Sequence, residues 1–280
     1  MRTYSLLLLT LIGLAFLGCG DNASGEDQQT FTPIIEGRKV YISGFYQDST
    51  LDQMVACYWL DGIRVDLEYG AAEDITVQNG DVYVAGQWFD ATGWNGEACY
   101  WINGIRYDLQ GGGNPDVEVT GIAVDNGDVY VSGVRSDGSM FGTNACYWKN
   151  GNVNNVSRNS SFGNSWGATA FGIFLDGNDV YLAGYNAIAN KFDIGCKWKN
   201  GNLHELSGST ANEQQTWLYD IAVANGVKIT VGFYYTFIED ENDPLYYDSP
   251  IFAIYYRNGQ RVNLEESEWQ VGEATGVFIE

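Results

Sequence analysis

The chain has 280 residues and a net charge of −22, with 45% hydrophobic and 15% aromatic residues. So acidic a surface repels phosphate backbones and anionic lipid headgroups, which excludes nucleic-acid binding and leaves any membrane attachment to something other than a basic patch. The hydrophobic content suffices for a sizeable core, and 35 glycines against 4 prolines suit a fold with many tight turns.

Met1-Arg2 gives a short positive start, and residues 6–17 form an apolar run too short to span a bilayer but suited to the core of a signal peptide. Phe16-Leu17-Gly18-Cys19 follows, then a polar stretch over residues 20–29. A small residue before a cysteine at this point resembles the bacterial lipobox, although Phe16 and Leu17 depart from the leucine and small residue which that family prefers. The resemblance implies a signal peptide over 1–18, lipidation of Cys19, a flexible linker over 19–33, and export to the outer membrane or cell surface. Asp21, Glu26 and Asp27 are similar to the surface-export signals of some Gram-negative lipoproteins. No other segment is long and apolar enough to cross a membrane.

From residue 34 onward the chain repeats itself. Val40-Tyr-Ile-Ser-Gly44 recurs as Val82-Tyr-Val-Ala-Gly86, Val129-Tyr-Val-Ser-Gly133 and Val180-Tyr-Leu-Ala-Gly184, with a degenerate copy ending at Gly232. A second phrase follows each: Ala56-Cys-Tyr-Trp59, Ala98-Cys-Tyr-Trp101, Ala145-Cys-Tyr-Trp148, Gly195-Cys-Lys-Trp198 and Ala253-Ile-Tyr-Tyr256. Next come Asp61-Gly62, Asn103-Gly104, Asn150-Gly151, Asn200-Gly201 and Asn258-Gly259, the strongest short hairpin signal because a type I′ turn needs φ > 0 at both central residues. A short run ending at Leu67, Leu109, Val156, Leu206 or Leu264 closes each copy. A third phrase precedes four of the first ones, at Asp74-Ile-Thr-Val77, Gly121-Ile-Ala-Val124, Gly172-Ile-Phe-Leu175 and Asp220-Ile-Ala-Val223; a fifth, Gly276-Val-Phe-Ile279, stands alone at the C-terminus.

Four short β-type runs in about 47 residues make the blade of a propeller. The runs are lettered A (the Gly-Ile-Ala-Val type), B, C and D. The predicted fold is all-β: a five-bladed β-propeller over 34–280, built of four-stranded antiparallel blades. Pairing of residues 276–279 with 40–44 would close the ring and remove the open sheet edge. The run from Gly121 to Val131 resembles the NHL class of propeller repeat, which implies that strand A lines the central channel. Blade number and repeat length are similar to those of tachylectin-like lectins.

Period-2 alternation sets Trp59, Trp101, Trp148, Trp198 and Tyr256 at one register position, as wedges between blades. Cys57, Cys99, Cys146 and Cys196 fall at equivalent positions of different blades, too far apart for a disulfide or a shared zinc site, and read as buried small hydrophobes. The one histidine, His204, lies in an outer D strand, so a catalytic triad is not expected. No cofactor is expected; any metal would need oxygen ligands, which points to Ca²⁺.

The A–B and C–D turns are short and uniform, whereas the B–C and D–A loops are long and individual and share one face of the sheets. Tyr46, Trp88, Trp94, Trp166, Tyr185 and Trp217 fall on that face and are the candidate ligand contacts, since aromatic faces beside Asp and Asn suit sugar rings. Asp74 and Asp220 stand where the other A strands have Gly. They read either as a pair of channel-mouth carboxylates for a cation or acid–base chemistry, or as acceptors of local backbone N–H bonds. The expected function is a lipid-anchored, monomeric binding module for a glycan or an envelope protein. The alternative is a carbohydrate-active hydrolase with carboxylates at the channel mouth.

Overall fold

The computed structural model describes residues 38–48, 53–90, 96–112, 117–136, 142–156, 165–188, 193–206, 214–236, 251–264 and 274–277. The signal, lipidation and linker readings at 1–33 lie outside these residues.

Among the described residues every regular element is a β-strand, and almost every pairing is antiparallel. The first sheet runs through β1 (Tyr41–Asp48), β2 (Gln53–Leu60), β3 (Ile63–Gln78), β4 (Asp81–Phe89), β5 (Gly96–Ile102) and β6 (Ile105–Asp108) in that order. β3 serves two units: its start pairs with β2 as far as Tyr69, and from Gly70 onward it pairs with β4. β7 (Val117–Asp125), β8 (Asp128–Ser136), β9 (Thr143–Lys149) and β10 (Asn152–Asn155) form the next A-B-C-D unit. β11 (Ser165–Asp176), β12 (Asp179–Ile188), β13 (Ile194–Lys199) and β14 (Asn202–Glu205) form another, joined to its predecessor by one parallel bridge between Gly167 and Thr143. β15 (Gln214–Ala224), β16 (Val227–Thr236), β17 (Ile251–Arg257) and β18 (Gln260–Asn263) make a separate four-stranded sheet. The first unit, β1, β2 and the start of β3, holds a B, a C and a D strand. None of the sheets closes on itself, and among the described residues no ladder joins 274–277 to β1.

The hairpin chemistry is as the sequence predicts. Asp61, Asn103, Asn150, Asn200 and Asn258 have φ near 50°, each followed by a glycine with φ between 77° and 89°. The turn residue also ties the hairpin to the neighbouring B strand. Asn103 Oδ1 accepts from Val82 N at 2.9 Å while its Nδ2 donates to Asp81 at 2.8 Å, and Asn150 and Asn200 repeat both bonds with the strands starting at Asp128 and Asp179. That explains Asn at these three turns and the Asp before Val82, Val129 and Val180; the first turn has Asp61, which accepts from Val40 N at 2.9 Å, and Lys39 before its Val-Tyr.

Each of the four described A strands carries a β-bulge at the same place. The ladder slips between Ala72 and Asp74, Val119 and Gly121, Ala170 and Gly172, and Leu218 and Asp220. The extra residues are Glu73, Thr120, Phe171 and Tyr219. Opposite each slip stands the glycine that ends the Val-Tyr phrase. A Cβ at Gly86, Gly133, Gly184 or Gly232 would collide with the carbonyl oxygen of Ala71, Glu118, Thr169 or Trp217. The invariant glycine of the repeat is thus the partner of a bulge, which lets two backbones approach where a side chain has no room.

The core lies between successive units. Trp101, Trp148, Trp198 and Tyr256 are completely buried, each packed with strands of its neighbour; Trp148, for example, clusters with Tyr83 and Tyr100 of the unit before. Cys57, Cys99, Cys146 and Cys196 are buried free thiols. Burial pushes the Cys146 thiol up to about 12, so it stays protonated and inert. His204 is exposed on β14.

Candidate functional site

The bulges decide what faces the inner end of each A strand. Val117 and Val119 of β7 point into the core, which turns Glu118 and Thr120 the other way. Thr120 Oγ1 donates to Ala170 O at 2.8 Å, and Ser132 Oγ donates to Phe171 O at 2.9 Å, both reaching the next unit. Ser43 Oγ repeats the second bond towards Glu73 O at 3.4 Å.

Asp74 and Asp220 use their carboxylates in one common way. Asp74 accepts from Ile75 N on its own strand and from Ile122 N of the next A strand, both at 2.8 Å. Asp220 accepts from Ile221 N at 2.7 Å and from Val277 N at 2.9 Å. Each therefore clasps its own strand to the one that follows. Burial raises both carboxyls and the backbone donors oppose it; Asp220 also adds a small upward push on Asp74, so the two stand within electrostatic reach of each other. Asp74 and Asp220 face Ala85 and Val231 across the ladder, while Gly172 faces Ala183 and a Cβ there would meet Asp220 Cα at 2.6 Å. At Gly121 a Cβ would meet Ser132 Oγ at 2.8 Å.

Two carboxylates that the sequence did not single out lie nearby. Glu73 is a bulge residue that keeps solvent contact, and Glu118 is half-buried. Burial raises both, and Glu118 raises Glu73 further. Among the described residues neither is in an ion pair. Glu118 lies within electrostatic reach of Tyr185, a member of an aromatic group. Tyr185 and Trp217 stack at 4.9 Å and 12°, and Phe171 packs on both. Tyr219 meets Phe171 edge-on at 5.3 Å, and Phe233 completes the group. Asp193 pins Trp217 from the preceding unit: its Oδ2 accepts from Trp217 Nε1 at 2.9 Å and from Gln215 Nε2 at 3.0 Å. Burial pushes the Asp193 carboxyl up to about 6, against the pull of the Trp217 bond.

The second place where candidate residues gather is the cleft between the first two units. A cavity of about 520 Å³ is lined by Val55, Leu67, Glu68, Tyr69, Trp88, Phe89, Asp90 and Arg106. The Arg106 guanidinium lies 4.1 Å from the Trp88 ring centre and bonds Glu68 at 2.7 Å and Asp108 at 2.9 Å. It therefore holds the indole in place while leaving aromatic surface to the cavity, to which Tyr69 contributes a partly exposed ring. Tyr46 is held similarly in the first unit, with Arg64 3.7 Å from its ring centre and its hydroxyl donating to Asp66 at 3.3 Å.

Of the sequence-selected residues, Trp88 thus lines the cavity, Tyr185 and Trp217 are stacked on each other, and Tyr46 lies under Arg64. Asp74 and Asp220 are engaged with backbone. Trp166 lies on β11 with its side chain outside the described part, and Trp94 is outside the described residues. Among the described residues no group of three or more His, Cys, Asp or Glu is arranged to hold a metal.

No protein-family model matches the chain, and no curated protein matches its sequence. Among solved structures it is similar to an acylaminoacyl peptidase of Pyrococcus horikoshii, with 15% identity over 75% of this chain and a TM-score of 0.39. It is also similar to a GH43 β-xylosidase/α-arabinofuranosidase from a compost metagenome, with 11% identity, 77% coverage and a TM-score of 0.35. A third likeness is to a GH32 β-fructofuranosidase of Bombyx mori, with 11% identity, 77% coverage and a TM-score of 0.38. The chain spans 33% of the peptidase, 87% of the GH43 enzyme and 57% of the GH32 enzyme.

Proposed function

We propose that this chain is an exported five-bladed β-propeller, anchored through a lipid on Cys19, that binds a glycan on its long-loop face. The observation that carries the glycan reading is the cavity between the first two units. Its volume falls within the roughly 300–1,000 Å³ range of small-ligand sites. Its aromatic wall of Tyr69, Trp88 and Phe89 suits the C–H face of a sugar ring, and Glu68, Asp90 and Arg106 offer partners for hydroxyl groups.

Three observations support a fifth, closing blade. Val277 N binds Asp220 as Ile122 N binds Asp74, so Gly276-Val277 follows β15 as β7 follows β3. Ser43 in β1 matches Ser132, whose hydroxyl requires glycine opposite, and the C-terminal copy of strand A begins with Gly276. Ile42 is 51% exposed, whereas its equivalents Val84, Val131, Leu182 and Thr230 are at most 2% exposed; a strand laid along β1 would cover it.

Binding of a soluble form lacking residues 1–19 to a glycan array tests the function, with Trp88→Ala as the control that must lose the signal. No glycan bound, with a partner protein recovered instead, would reject it. A hydrolase is the second reading. It rests on Glu73 and Glu118, carboxyls with no ion pair among the described residues, of which Glu118 raises Glu73. Release of nitrophenol from aryl glycosides, lost in both Glu73→Gln and Glu118→Gln, would favour it.

A further inference from the structure

The clefts between units handle positive charge in one way, with one departure. In the first, second and fifth units an arginine of strand D lies over an aromatic ring of strand B: Arg64 on Tyr46, Arg106 on Trp88 and Arg261 on Tyr234. Arg106 also bonds Glu68, which belongs to the unit before. In the third unit the positions are exchanged. The place of Tyr46, Trp88 and Tyr234 is taken by Arg135, that of Arg106 by Val153, and that of Glu68 by Gln110. Gln110 is neutral and already engaged: its Oε1 accepts from Val153 N at 3.1 Å and its carbonyl from Trp148 Nε1 at 3.0 Å.

Arg135 is consequently a half-buried cation with no carboxylate partner among the described residues. Its Nε is enclosed and donates to nothing. Its charge reaches the buried Cys146 thiol. Gly111 stands next to Nη1, and a Cβ there would lie 3.6 Å from it, in ordinary contact. Burying a guanidinium N–H without an acceptor is costly, and an unsatisfied buried donor in a folded protein calls for a partner.

We propose that Arg135 receives the carboxylate of a sugar acid in the cleft between the β3–β6 and β7–β10 units. This rests on the glycan reading, adds a second sugar site in the cleft next to the cavity of Trp88, and names the charge of the ligand there. A planar guanidinium binds a carboxylate through two parallel N–H bonds, which no hydroxyl reproduces. The net charge of −22 favours a single carboxylate on an otherwise neutral ring over a polyacidic peptide, which the surrounding surface would repel.

The test compares methyl β-D-glucuronide, methyl β-D-glucoside and a hexaglutamate peptide by calorimetric titration. The glucuronide should bind at least tenfold more tightly than the glucoside and the peptide. Arg135→Gln should erase that preference and Arg135→Lys restore part of it. Arg135→Met should leave the apo melting temperature no lower, because the charge it removes is unpaired until ligand arrives. Equal binding of the two sugars, peptide binding as tight as the glucuronide, a preference surviving in Arg135→Gln, or a marked loss of stability in Arg135→Met would each overturn the assignment. If the wild type binds both sugars equally and Trp88→Ala loses both, the Arg135 assignment falls alone. If no sugar binds, the glycan reading falls with it.

Discussion

Asp193 is where the electrostatics of this fold make a measurable claim. Burial holds its carboxyl at about 6, against an ordinary value of 3.8, even though Trp217 and Gln215 both donate to Oδ2. A little over two pKa units corresponds to about 3 kcal/mol between the protonated and ionised forms. The folded chain holds this proton more tightly than the unfolded chain, so its contribution to stability is complete below pH ~4. It is lost as pH rises through about 6. Asp193→Asn keeps the acceptor oxygen for Trp217 without the charge. In urea titrations between pH 3.5 and 8, the variant should match the wild type at the acid end. It should be more stable above pH 7 by up to about 3 kcal/mol. A variant less stable than the wild type at pH 8, or a difference that does not change with pH, would refute the reasoning.

Other outcomes follow from the same geometry. Asp74→Ala and Asp220→Ala each leave a backbone N–H of the next A strand without its carboxylate, and should each cost about 1.5–3 kcal/mol in urea unfolding. Gly184→Ala drives a methyl group into Thr169 O and should cost about 1–3 kcal/mol or prevent folding, whereas Gly80→Ala, with no atom within 4 Å of the added carbon, is burdened only by its φ of 92°. Cys57, Cys99, Cys146 and Cys196 should resist alkylation by iodoacetamide in the native state and react together once urea unfolds the chain; rapid labelling of any one without denaturant would contradict its burial.

How far the sequence could be read depended on the range of each interaction. The Asn-Gly turns and Val-Tyr strands are fixed by neighbours within a few residues, and both are where the repeat puts them. The buried row of Trp101, Trp148, Trp198 and Tyr256 follows from alternation within one strand. The bulges at Glu73, Thr120, Phe171 and Tyr219 are different, because a one-residue slip leaves no local pattern; the only trace is the glycine it imposes across the ladder. The dual use of Asp74 depends on Ile122, 48 residues away, and was visible only as an exception to glycine at that position. Arg135 shows the same limit: its lack of a carboxylate partner among the described residues follows from Gln110 standing where an earlier unit has Glu68, a comparison that needs the cleft to be known first. The sequence shows Trp88 as a loop aromatic, but its cavity depends on Leu67, Glu68 and Tyr69 of another unit.

The most direct measurement is a crosslink between β1 and the C-terminal segment, which the proposed ring would bring together. Val277 corresponds to Ile122 and Ile42 to Val131, which face each other in the β7–β8 ladder. Cysteines at 42 and 277 should therefore lie within the roughly 4.4–6.8 Å Cα separation that a disulfide spans. Mild oxidation of the folded Ile42→Cys, Val277→Cys double variant should form that bond in nearly every molecule and raise the melting temperature. Two thiols that stay free in the native state would mean that the C-terminal segment does not complete the first blade.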